Sequence, residues 1–314
     1  MDLNVCKATR QSYGEELLAL GNENNNIVVL DADLSKSTMT NLFSKEFPDR
    51  FFDMGIAEQD MLATAAGFAT CKKIPFVSTF AVFACGRAYD QIRNSICYPN
   101  LNVKICATHG GITVGEDGAT HQMLEDFALM RVLPNMKVFC PSDDVQTKWL
   151  VRKMSNENGP MYARLGRLKT LSIYSENDEF EIGSSHQFGS GTDGTIFACG
   201  IMVVEALKAQ KILKEKNIDV RVVDMYSIKP IDRDVIIKSA KETNVLMSVE
   251  EHSILGGLGS SISEVLTDDY PKKLKRMGIN DRFGKSGSAV ELMRYFKLTA
   301  EDIAKEMVDN LKID

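Results

Sequence analysis

Short apolar runs alternate with longer segments of helical character along nearly the whole chain. Residues 27–30, an Ile-Val-Val-Leu run between Asn24-Asn25-Asn26 and Asp31, predict a buried strand. Residues 74–80, 103–107, 137–140 and 161–165 read the same way, and segments 10–21, 58–70, 86–97, 123–131 and 143–154 are the helices between them. Strands separated by helices of about ten to fifteen residues form βαβ units and a mainly parallel sheet. Residues 170–194 break this rhythm: they are polar, contain Ser184-Ser185 and Gly189-Ser190-Gly191, and show no period, so they read as a linker. A second series follows, with strands at 195–198, 219–224, 244–249 and near 274–278. Its helices are 203–216, 232–240, one running from Gly256-Gly257-Leu258-Gly259 to Leu266, and two at the end, the last N-capped by Thr299. The expected fold class is α/β in two domains, 1–180 and 190–314, each a mainly parallel sheet flanked by helices.

Composition narrows the possible partners. A net charge of −6 and a pI near 5.4 argue against a nucleic-acid or anionic-membrane surface. No apolar run is long enough to span a bilayer, and the amino terminus lacks the pattern of a secretory signal. The seven cysteines are scattered without a CxxC pair or zinc spacing, which suits reduced thiols in a cytoplasmic protein.

Three groups of residues bear on chemistry. Glu58, in Gly55-Ile56-Ala57-Glu58-Gln59, opens an apolar helix, and Phe80 and Phe83 stand just beyond the next strand. An acid and an aromatic wall together are what a flat heteroaromatic ring requires if one of its nitrogens must share a proton. The second group is the loop 108–122, which carries His109, Asp117 and His121 among several glycines after a buried strand, where α/β sheets place their sites. The third consists of Arg10, Ser37 and Arg164, polar groups suited to an anion. Taken singly, each has an ordinary explanation: a first-turn helix acid, core rings, solvated charges. Lys36 and Arg167 are assigned that solvated role here.

Taken together, these segments resemble transketolases, most specifically across residues 31–167. The resemblance implies a thiamine diphosphate enzyme moving a two-carbon ketol unit from a ketose phosphate to an aldose phosphate. Glu58 would hold the cofactor's aminopyrimidine, with Phe80 and Phe83 as the aromatic wall. Asp117 and His121 would face the sugar hydroxyls, and Arg10, Ser37, His109 and Arg164 the phosphate. Catalysis would rest on Glu58 and His121, and the carboxy-terminal domain would be remote from the chemistry.

The Gly-Asp-Gly…Asn motif that would hold the metal and diphosphate does not occur in the sequence. The resemblance therefore implies the C-terminal subunit of a split transketolase, with an N-terminal transketolase subunit holding the diphosphate and Mg²⁺ or Ca²⁺. Two copies of this chain would self-associate at the centre of a heterotetramer. Gly86-Arg87-Ala88-Tyr89-Asp90-Gln91 resembles deoxyxylulose-phosphate synthases instead, so half of such an enzyme, or a transketolase for an unusual sugar, is the alternative. A regulatory module that kept the fold without the chemistry is a further one.

Overall fold

The computed structural model describes residues 5–312. The first part of the chain contributes strands β1 (Val5–Ala8), β2 (Ile27–Asp31), β3 (Phe51–Asp53), β4 (Ile74–Ser78), β5 (Lys104–Thr108), β6 (Lys137–Phe139), β7 (Met161–Leu165) and β8 (Lys169–Leu171). The second contributes β9 (His186–Phe188), β10 (Gly194–Ala198), β11 (Val220–Asp224), β12 (Ser227–Lys229), β13 (Val245–Ser253) and β14 (Leu274–Ile279). One sheet has the order β12-β6-β7-β5-β4-β2-β3 and is parallel from β6 to β3. The other has the order β14-β13-β10-β11-β9, parallel except at β9. Strands β2, β5, β7, β10 and β11 are buried at every residue, as expected of parallel strands covered by helices on both faces. Thr299 caps the last helix in a reciprocal bond with Asp302, as the sequence predicts.

Three local expectations are corrected. Residues 86–97 are not one α-helix: an α-helix spans Ala81–Arg87, and Gln91–Cys97 winds as a π-helix, with Tyr98 N donating to Arg93 O five residues back. The helix expected from 123 begins at Asp126, because residues 122–124 bond to other segments. The stretch 170–194 is not featureless, since β8 pairs with β1 and β9 edges the second sheet.

The two sheets are tied to each other. β12 follows a strand of the second sheet yet pairs antiparallel with β6 at the edge of the first. Lys229 reaches from it to the carbonyls of Arg131 and Leu133 at 3.0 and 2.6 Å. Asp224, fully buried at the end of β11, accepts from Gln146 Nε2 at 3.0 Å and from the Tyr174 hydroxyl at 2.7 Å. Cys71, Cys85, Cys97, Cys106, Cys140 and Cys199 are free thiols, and of these six Cys71 is exposed and the others buried. No helix among these residues is long and apolar enough to cross a membrane.

Burial pushes the Asp224 carboxyl up from its ordinary 3.8 to about 7. Its folded pKa lies above its unfolded one, so the fold holds an extra proton between roughly pH 4 and 7 and loses stability as pH rises through that window. Asparagine keeps an oxygen for both donors and needs no proton. Asp224→Asn is therefore expected to unfold at a higher temperature than wild type at pH 8, with no such gain at pH 5. Thermal melts at the two pH values test this, and an equal shift at both would refute it.

Candidate active site

Glu58 stands at the first position of helix Glu58–Thr70, 4% exposed. The chain reaches it from β3 through a turn at Gly55, whose φ of +68° is the left-handed region that glycine enters freely. Its Oε1 accepts from Arg87 Nη1 at 2.9 Å. Helix Ala81–Arg87 starts immediately after Phe80, so Phe83 and Arg87 lie one turn apart on one face. The Arg87 guanidinium carbon sits 4.1 Å from the centre of the Phe83 ring.

The rings continue the row. Phe80 stacks on Phe83 with centroids 5.7 Å apart and on His109 at 3.8 Å. His121 meets both phenylalanines edge-on, 5.4 Å from Phe83 and 6.3 Å from Phe80. His109 follows β5 with a φ of +59°, an uncommon backbone for a residue with a side chain, and its Nδ1 lies 2.8 Å from the Thr108 hydroxyl. Burial, reinforced by Arg10, Arg167 and His121, pushes its imidazole down to about 3. His109 is thus a neutral hydrogen-bonding group at ordinary pH.

Beyond His109 lies a cationic corner. Arg10 donates from Nη1 to the main-chain carbonyl of Ser37 at 2.6 Å. Burial and the nearby Arg167 both lower its pKa. Arg167 donates to Val114 O, lies 3.3 Å from Glu116 Oε2 and 3.9 Å from Asp117 Oδ2, and leaves part of its side chain open to solvent.

Arg164 does not join this corner, and the expectation for it is corrected. It lies inside β7 and is 4% exposed, with its guanidinium clamped on the buried Asp126. Nε donates to Asp126 Oδ2 at 2.8 Å and Nη2 to Oδ1, while the remaining donors face Glu251 O and Met123 O at 3.2 and 3.4 Å. Phe127 lies beneath it, and Tyr162 donates to the same carboxylate at 2.7 Å. Burial would raise the Asp126 pKa, but Arg164 holds it below the ordinary value. Arg164 has little donor capacity left for an external anion. Arg167 stands two residues past the carboxyl end of β7, where α/β sites lie, and that position is the signal that marks it in the sequence.

The carboxy-terminal domain is not remote from the site. The loop 108–122 is held by it on two sides. Glu251 accepts from the Thr113 amide at 3.0 Å and its hydroxyl at 3.2 Å. Gly111 has a φ of +79°, and a Cβ there would fall 2.2 Å from Glu251 Cδ. Gln122 exchanges two bonds with the main chain of Lys285, each 2.9 Å long. The turn Gly256-Gly257-Leu258-Gly259 does cradle an acceptor group, but that group is the chain's own Glu250 carboxyl. It accepts from Leu258 N at 2.7 Å and Gly259 N at 2.9 Å, and a Cβ on Gly257 would fall 2.1 Å from Glu250 Oε2. Among the described residues, no group of three or more His, Cys, Asp or Glu side chains is disposed to hold a metal ion.

Known proteins agree with this architecture. Residues 6–171 match the transketolase pyrimidine binding domain, and residues 186–303 the transketolase C-terminal domain. The chain belongs to the transketolase family. It spans the family's two carboxy-terminal domains, the extent of a split transketolase C-terminal subunit. It is 51% identical to a putative transketolase C-terminal section of Methanocaldococcus jannaschii, with 98% of each chain covered. Human transketolase is 37% identical over 95% of this chain, which spans 48% of the human protein. Among solved structures, a split gene transketolase described as an inactive β4 tetramer superposes with a TM-score of 0.89, 51% identity and 98% coverage of both chains.

Proposed function

We propose that this chain supplies the pyrimidine side of a shared thiamine diphosphate site together with the sugar-phosphate pocket of a transketolase. The observation that carries this reading is the continuous row from Glu58 through Phe83, His121, Phe80 and His109 to Arg10 and Arg167, along the carboxyl ends of parallel strands. An N-terminal transketolase subunit would hold the diphosphate and its Mg²⁺ or Ca²⁺. Two copies of each subunit would complete two sites in a heterotetramer around a two-fold axis. The relative described as an inactive β4 tetramer supports dependence on such a partner.

The residues fit the cofactor, because a buried carboxylate and an aromatic face already hold a flat cationic group, the Arg87 guanidinium. When bound, thiamine diphosphate supplies the nucleophilic carbon that takes up and passes on the two-carbon unit. Glu58 shares a proton with N1′ of the aminopyrimidine, and burial keeps water from competing for it. Phe83 gives the ring a face, and Phe80, packed between Phe83 and His109, keeps both rings upright. His121 and Asp117 meet the sugar hydroxyls. Arg10 and Arg167, with neutral His109 and Ser37 beside them, take the phosphate of the sugar.

The phosphate does not react, so its contacts persist from ground state to transition state. Arg10→Ala and Arg167→Ala are each expected to raise KM for phosphorylated sugars by about tenfold to a hundredfold with little change in kcat. Activity on non-phosphorylated sugars should stay at the wild-type level. Steady-state kinetics on both substrate types tests this, and an equal loss on both would remove these arginines from phosphate binding.

A further inference from the structure

We propose that Arg87 is a built-in competitor of the cofactor, occupying with its guanidinium the two contacts that the aminopyrimidine ring requires. This inference rests on the assignment of Glu58 and Phe83 to the cofactor's pyrimidine and goes beyond it. The guanidinium is a planar, delocalised cation that stacks on aromatic faces. It lies over Phe83 at 4.1 Å and donates to Glu58 Oε1 at 2.9 Å, so one group engages both the aromatic face and the acid. A ring stacked on Phe83 and bonded to Glu58 cannot share that space with it.

The local fold places Arg87 there. It follows Phe83 by four residues on one helix, and helical side chains lean back over the preceding turn, directly onto that ring. Gly86 beside it carries no side chain, and nothing lies within 4 Å of where a Cβ would stand. The two partners differ in exposure: the Arg87 side chain is 50% exposed and the Glu58 side chain 5%. The arginine can therefore swing into solvent by turning its own torsions, while Glu58 and Phe83 stay in place. A half-exposed ion pair and an exposed cation–π contact are individually weak. The competition thus amounts to a modest factor in affinity, and Glu58 keeps a partner whenever the cofactor is elsewhere.

The test uses the full chain and the free pyrimidine half of the cofactor, 4-amino-5-hydroxymethyl-2-methylpyrimidine, which needs neither metal nor partner subunit. Its dissociation constant is measured by ligand-observed NMR for wild type, Arg87→Met, Arg87→Lys and Glu58→Gln. Methionine keeps the packing of the stem while removing the planar cation, and it is expected to tighten binding by about threefold to thirtyfold. Lysine, a cation without the flat face, should fall between methionine and wild type. Glu58→Gln should weaken binding. Unchanged or weaker binding by Arg87→Met, with Glu58→Gln still weakened, overturns the competitor role and leaves the site assignment standing. If Glu58→Gln binds the fragment as wild type does, or if no variant binds it, the pyrimidine assignment itself fails and this inference with it.

Discussion

Glu58→Gln is expected to reduce kcat of the enzyme reconstituted with its N-terminal partner by about a hundredfold or more, in the range usual for a lost acid–base group. Glutamine matches the carboxyl in shape and can still hydrogen-bond to a ring nitrogen. It has no proton to share with N1′ in the manner the reaction requires. Glu58 begins its helix, and among the described residues its side chain bonds to Arg87 alone. Its replacement should therefore leave folding, subunit association and KM for the sugar largely intact. Circular dichroism and size-exclusion chromatography of the reconstituted complex would check the first two. A variant keeping more than about a tenth of wild-type kcat, a barrier change of only ~1.4 kcal/mol, would make this carboxylate structural.

The second large effect concerns stability. Arg164→Ala removes the cation from an ion pair whose carboxylate, Asp126, is fully buried. Breaking such a pair from one side costs roughly 3–5 kcal/mol, because the partner charge remains in a low-dielectric surround. Asp126 would keep the Tyr162 hydroxyl, and His252 Nε2 stands 3.8 Å away, yet neither replaces a bidentate guanidinium. Denaturant unfolding should show a large fall in stability, with KM for phosphorylated sugars little altered in whatever fraction folds. Replacing Arg164 and Asp126 together by apolar residues of similar volume should recover much of the loss. A raised KM at full stability would return Arg164 to the phosphate pocket.

These two residues also show what the sequence reveals and what it withholds. Glu58–Thr70 and Met161–Leu165 are marked to the residue by periodicity, because each is an uninterrupted element whose apolar positions face a core. Glu58, Phe80, Phe83, His109 and His121 come from short local segments read together through the family resemblance, and the structure brings their side chains beside one another. Arg164 and Arg167 are three positions apart in one motif, and the motif alone does not say which guanidinium turns inward. That depends on Asp126, Glu251 and Met123, partners brought up from 38, 87 and 41 residues away. The π-helix Gln91–Cys97 and the edge strand β12 are hidden for the same reason. A wide turn and a three-residue strand take their stability from neighbours, not from their own period. The hold of Glu251 and Lys285 on the loop 108–122 is likewise a fact of packing between distant segments.

β12 carries a consequence for the family's modularity. The carboxy-terminal domain lends three residues to the edge of the pyrimidine sheet, so the two domains share a border that neither could close alone. Separating the two domains would bare a sheet edge and release the glycine-rich loop from Glu251. In this chain the pair of domains, and not either one alone, is the unit that keeps both the sheet edge and the loop in place.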